Sequence, residues 1–162
     1  FNVVLIVDLS EDNPIGFSKL DLDDKISIIC SLIIGAFLNK NPGNQLSILA
    51  ARGGLVEQIT HFSGNKKHHF QGVRRLIGIK KKNGIDLEIC FSLAIRLLRS
   101  LGVKGYRQIF FLHKGRICNS FFHNVCADLL KNNIRLLVVS FQAKIFFLEL
   151  LTRITSGEYF LP

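Results

Sequence analysis

The sequence predicts an α/β fold: a doubly wound, mostly parallel six-stranded sheet with one antiparallel edge strand and helices on both faces. Three observations carry that reading. Residues 3 to 8, Val-Val-Leu-Ile-Val-Asp, are apolar without polar alternation until the closing carboxylate, the mark of a strand covered by helices on both sides. Apolar spacing then switches repeatedly between strand-like and helix-like. Finally, Gln45 to Ala51 and Val56 to Phe62 are joined by so tight a turn, Arg52-Gly53-Gly54, that the two strands must be antiparallel.

The elements follow in order. The first strand runs on into Leu9-Ser10, and Glu11 to Ser18, with Pro14 and Gly16, reads as a loop. Leu22, Ile26, Ile29, Ile33 and Phe37 recur at helical spacing, and Asn39 to Gly43 should stop that helix. After the hairpin, Lys66 to Ile77 reads as a helix with Phe70, Val73 and Ile77 inward, capped by Ser63 or Asn65. The next helix shows a stripe of Leu87, Cys90, Phe91, Ala94, Leu97 and Leu101. Tyr106 to Leu112 is a buried strand, and Phe122, Val125, Cys126 and Leu129 give a helix. Ile134 to Phe141 is a strand, Ala143 to Thr155 a last helix and Glu158 to Leu161 a last strand.

The 162 residues suit one domain with a substantial core, and 48 % apolar with 20 % charged residues argues against disorder. The longest apolar stretches, Ile26 to Leu38 and Leu136 to Leu151, are interrupted by polar residues, so a membrane span is not expected. The chain starts directly on a strand residue without methionine, and reads as an excerpt or a processed product.

The four cysteines, Cys30, Cys90, Cys118 and Cys126, make no CxxC pair, which favours reduced thiols. His113, Cys118, His123 and Cys126 are close in sequence, but as zinc ligands they would have to converge from a strand end, a loop and a helix. Buried cysteines and surface histidines are the commoner outcome. The net charge of +9 is concentrated in Lys66, Lys67, Arg74, Arg75 and Lys80-Lys81-Lys82. That patch could steer the chain to nucleic acid, yet it lacks the exposed aromatics or recognition helix of such modules, and a solvated helix face followed by a charged loop is favoured. No nucleophile elbow is present, and Gly53-Gly54 has no phosphate-binding lysine after it, so no enzyme activity and no cofactor are expected.

The order of elements, with Asp8-x-Ser10 closing the first strand, resembles the von Willebrand factor A domain. That resemblance implies Mg²⁺ held by an Asp-x-Ser-x-Ser motif with a Thr and an Asp from later loops, hard oxygen ligands suited to the ion. Only Asp8 and Ser10 fit. Asp12 replaces the second Ser, Gly84-Ile85-Asp86 brings no Thr, and His113-Lys114-Gly115-Arg116 brings no Asp. The metal site reads as lost.

A narrower resemblance is carried by Asn41-Pro42-x-x-Gln45, by Ser63-Gly64-Asn65 with His69 four residues on, and by the ending Thr155-x-Gly157-x-Tyr159. These are similar to the von Willebrand A subunit of the transcription and repair factor TFIIH, the forty-four-kilodalton family that regulates the XPD-type helicase. The resemblance implies a nuclear, non-enzymatic scaffold whose partners are that helicase and other TFIIH core subunits, with DNA contact indirect or weak. It also implies cysteine-rich zinc modules after the domain, which these 162 residues do not include. Two other classes are weighed against it: a von Willebrand A adaptor of the proteasomal ubiquitin-receptor type, and a basic nucleic-acid-binding module.

Two places are expected to meet a partner. One is the loop His113, Lys114, Gly115, Arg116, Ile117, Cys118 and Asn119, at the carboxyl end of a central strand where open α/β sheets bind ligands. The other is Phe146, because Phe146, Phe147, Leu148, Leu150 and Leu151 surround more of the last helix than one core-facing stripe can use.

Overall fold

The structure, a computed structural model, describes residues 1–11, 19–79, 82–102, 105–114, 117–119, 123–141 and 144–162. A six-stranded sheet in the order β10-β9-β7-β1-β3-β4 forms its centre. These strands are β1 (Asn2–Asp8), β3 (Gln45–Arg52), β4 (Leu55–Ser63), β7 (Arg107–His113), β9 (Ile134–Ser140) and β10 (Glu158–Phe160). All neighbours are parallel except β3 and β4, as the short turn demands. Gly53 and Gly54 both have positive φ, a conformation that glycine adopts without steric cost and that matches the twist of a two-residue hairpin.

Side chains of β1 alternate between two cores. Val3, Leu5 and Val7 pack with α1 (Lys19–Lys40) and α2 (Lys66–Ile77) on one face. Val4 and Ile6 pack with α3 (Leu87–Ser100), α4 (His123–Lys131) and α5 (Phe146–Ile154) on the other. Both cores are closed, which is why the β1 sequence has no polar alternation.

Four short strands were not legible as such. β2 (Ser10–Glu11) pairs with β5 (Lys82–Asn83), and β6 (Ile85–Asp86) pairs with β8 (Ile117–Asn119), both parallel. Two or three residues carry no periodicity, so only the partner reveals them. Ile117 to Asn119, expected as loop, is therefore strand.

The helices hold with shifted faces. In α1 Ile26 is buried as expected, and beyond it the buried stripe is Cys30, Ile34 and Leu38, each one position after the expected residue, with Ile29, Ile33 and Phe37 at its margin. In α2 the inward residues are His69, Gly72, Val73 and Leu76, whereas Ile77 is 64 % exposed. In α3, Ile95 and Leu98 are buried where Leu97 and Leu101 were expected. The α5 helix starts at Phe146 rather than Ala143, because Ile145 is extended and its N–H donates to the Tyr159 hydroxyl at 3.1 Å. It ends in a left-handed Ser156 (φ 55°), with the Gly157 N–H donating to the Thr152 carbonyl. Of the loop expected over Glu11 to Ser18, Glu11 is strand and residues 12–18 lie outside the description, as do Phe122 and the side chains of Leu22, Cys118 and His123.

Candidate functional site at the carboxyl ends of the central strands

Strands β9, β7 and β1 lie side by side and end on Ser140, His113 and Asp8. Parallel register pairs His113 with Ser140 and brings Asp8 beside His113. The Asp8 carboxylate is completely buried, and both oxygens are occupied: Oδ1 accepts from the Ser10 N–H at 2.8 Å, and Oδ2 accepts from the Lys114 N–H at 3.0 Å. Oδ2 also lies 3.1 Å from Nδ1 of the buried His113, so Nδ1 carries the proton and donates. Burial pushes the Asp8 pKa up, but the hydrogen bond and charge of His113, with the side chain and amide of Ser10, outweigh it and hold the group below its ordinary value.

The other side of this corner is polar and uncommitted. Nε2 of His113 and the hydroxyls of Ser10 and Ser140 are buried, and among the described residues they make no hydrogen bond of good geometry. An Asp–His pair can activate a hydroxyl only through Nε2, and among the described residues Nε2 is bonded to none. Burial and the negative charges of Asp8 and Asp86 push the nearby Cys90 thiol upward, which disfavours its thiolate form.

The donors do not suit the Mg²⁺ that the von Willebrand A resemblance implies at this corner. Magnesium needs several oxygen ligands in near-octahedral geometry. Asp8 is committed to three N–H donors and an imidazole stands beside it. Asp86, in the loop expected to bring a Thr, instead caps α3 by accepting from the Ile89 N–H at 3.1 Å. Among the described residues no three His, Cys, Asp or Glu side chains converge as a metal site.

The expected contact residues separate. His113 is fully buried, and Lys114 is only 6 % exposed, which corrects the expectation that both offer side chains to a partner. The Lys114 amide is needed by Asp8, and that turns the chain inward. Ile117 is partly buried against the α3 side of the sheet. Gly115 and Arg116 lie outside the described residues, as do the side chains of Cys118 and Asn119. Phe146 is 77 % exposed at the start of α5. Of the basic patch, Lys67, Arg74 and Arg75 are exposed on α2, while Lys80 and Lys81 are not described.

The motif residues gather at the opposite end of the sheet, where β3 begins and β4 ends. Asn65 caps α2, accepting from the Lys67 N–H, and Ser63 accepts from the Asn65 N–H. Asn41 turns the chain by accepting from the Gly43 N–H, and Pro42 lies within that turn before Gln45 opens β3. Gly64 fits closely over the Asn44 carbonyl. His69 is buried, with Nε2 2.9 Å from the Ser63 carbonyl and Nδ1 2.9 Å from the Thr60 hydroxyl. The pattern requires Nε2 to donate to the carbonyl and Nδ1 to accept from Thr60, whose oxygen in turn accepts from the Ile48 N–H. Burial holds the His69 pKa below its ordinary value, although the Ser63 carbonyl pulls the other way.

Sequence reasoning missed this structural use of His69, and missed Gly72, where a Cβ would stand 2.4 Å from Thr60 Cγ2. The ending is structural too. Thr155 Oγ1 accepts from the Leu136 N–H, and a Cβ on Gly157 would stand 1.6 Å from the Leu136 carbonyl oxygen.

Strand order, the antiparallel edge and the aspartate-ended first strand define a von Willebrand A domain, and solved structures agree. The SpRpn10 VWA domain superposes with a TM-score of 0.76 at 12 % identity, covering 99 % of this chain and 85 % of that one. The N-terminal domain of TFIIH p34 gives 0.68 at 15 % identity, covering 98 % and 89 %. The chain belongs to the Ssl1-like family, whose model matches residues 17–161. Among curated relatives, the TFIIH subunit ssl1 of Schizosaccharomyces pombe is 26 % identical over 89 % of this chain. General transcription factor IIH subunit 2 of Dictyostelium discoideum is 24 % identical over 78 % of it. These alignments span 34 % and 27 % of the relatives' own lengths.

Proposed function

We propose that this domain is the von Willebrand A part of a TFIIH core subunit of the forty-four-kilodalton type. In this reading it is a nuclear, non-enzymatic scaffold that binds the XPD-type helicase and stimulates it in promoter opening and nucleotide-excision repair. The observation that carries the reading is the family match over residues 17–161, together with two relatives that are themselves named as TFIIH subunits. A scaffold role is further supported by the Asp8 corner, whose carboxylate and imidazole are buried and bonded to one another. The proposed helicase contact is the segment from Arg116 to Asn119 with Phe146; since the Lys114 side chain is nearly buried, the charge that orients an acidic partner falls to Arg116.

Affinity purification from native extract tests the assignment. Co-purification of the helicase and TFIIH core subunits is expected, and recovery of proteasome subunits in their place overturns it. Within the complex, Arg116→Glu with Phe146→Ser should reduce stimulation of the helicase while the domain stays folded, since Phe146 is mostly exposed. Full stimulation by that variant removes Arg116 and Phe146 from the interface.

A further inference from the structure

Helix α1 exposes an apolar ridge to solvent. Ile28 and Leu32, one turn apart, are 59 % and 65 % exposed, and Ala36 continues the row. Beside Ala36, a Cβ on Gly35 would meet nothing within 4 Å, so the row ends in a shallow notch. A helix apolar on its outer as well as its inner side is normally covered on both. The i, i+4, i+8 row followed by small residues is a surface into which another helix can seat a ridge.

The neighbouring helix determines what kind of helix fits. α2 packs alongside α1, with Lys66 near the α1 terminus bonded to Asn39. It contains no acidic residue and exposes Lys67 and Arg74, which are two turns apart, on its outer side. On α1 itself the row opens on the exposed Asp24, one turn before Ile28, so the cations lie along the α2 side of the ridge, and that side complements an amphipathic helix whose apolar stripe is flanked by carboxylates there. A second copy of this chain is a poor occupant, because apposing the same face twice brings these cations together in a chain of net charge +9.

We infer that the outer face of α1, centred on Ile28 and Leu32 and bordered by Lys67 and Arg74, docks an acidic amphipathic helix of a partner protein. This surface lies on the face of the sheet away from α5, so it is separate from the helicase contact proposed at Phe146 and does not depend on it.

The test uses two synthetic helical peptides with the same leucine stripe, one flanked by glutamates and the other by lysines, titrated into this protein by fluorescence anisotropy. The glutamate peptide should bind, more weakly as salt is raised. Its affinity should fall about tenfold or more with Leu32→Asp and with Lys67→Glu combined with Arg74→Glu. The milder Ile28→Ser, checked by circular dichroism, serves if Leu32→Asp perturbs folding. No binding, equal affinity for the lysine peptide, or indifference to these substitutions overturns the inference. So does a dimer of the wild type in sedimentation that Leu32→Asp converts to monomer, since the occupant is then a second copy.

Discussion

Asp8 and His113 are 105 positions apart in the chain, yet Oδ2 of one lies 3.1 Å from Nδ1 of the other, with both side chains fully buried. This contact joins the ends of two central strands at the corner where the von Willebrand A resemblance implies a cation. It gives the carboxylate a partner from within the chain.

The first expected outcome concerns metal. Asp8 is already saturated by N–H donors, and its neighbours supply an imidazole and hydroxyls in place of further carboxylates. Calorimetric titration with Mg²⁺ or Mn²⁺ should be silent. Saturable micromolar binding that Asp8→Ala abolishes would sink this reading.

Asp8→Ala should also destabilise the domain, by roughly 3–5 kcal/mol, the range for removing one member of a buried pair. Acid should act in the same direction. The folded pKa lies below the ordinary 3.8, so the stability contributed by Asp8 is fully present above that value and is lost as pH falls through the folded value. Denaturant melts of wild type and Asp8→Asn should therefore converge in strong acid; parallel curves at all pH values would exclude the linkage.

His69 makes a separate pH window. Its folded pKa is held below the ordinary 6.5, chiefly by burial. The unfolded chain then takes up a proton near 6.5 that the folded chain refuses, so the His69 share of stability is complete above 6.5 and declines as pH falls below it. A His69→Gln variant should be less stable at pH 7.5 but show a flatter stability profile from there into the acid range. An unchanged profile would show that His69 is not the responsible group.

Two glycines should separate by what surrounds them. Gly72→Ala presses on the Thr60 methyl, a side chain that can shift, and should cost about 1–3 kcal/mol. Gly157→Ala drives into the Leu136 backbone carbonyl, which is fixed in the sheet, and should cost more. Thermal unfolding of both variants gives the ranking directly, and a milder effect at Gly157 would contradict the packing described for the β9–α5 junction.

Phe146→Ser should leave stability within about 0.5 kcal/mol, because the ring is mostly solvent-exposed and buries little on folding. Association with partner subunits should weaken. Intact folding with every association unchanged would reduce Phe146 to an isolated exposed aromatic.

The sequence by itself determined the order and type of the main elements. Those depend on local quantities: the unbroken apolar run of β1, the two-glycine turn that forces β4 antiparallel, and a capping residue, Ser63 or Asn65, ahead of α2. It also carried the Asn41-Pro42 and Ser63-Gly64-Asn65 parts of the family motif, because those turns and caps are made between residues close in the chain. Only the tertiary structure decided which partner Asp8 takes, that Lys114 turns inward, and that α2 buries His69 and Leu76 while Ile77 faces water. It likewise set the start of α5, through a hydroxyl fourteen residues away in sequence. Each of these outcomes depends on how neighbouring strands and helices align across the sheet, and a period of 3.6 or 2 residues fixes a face only to within one position until that alignment is made.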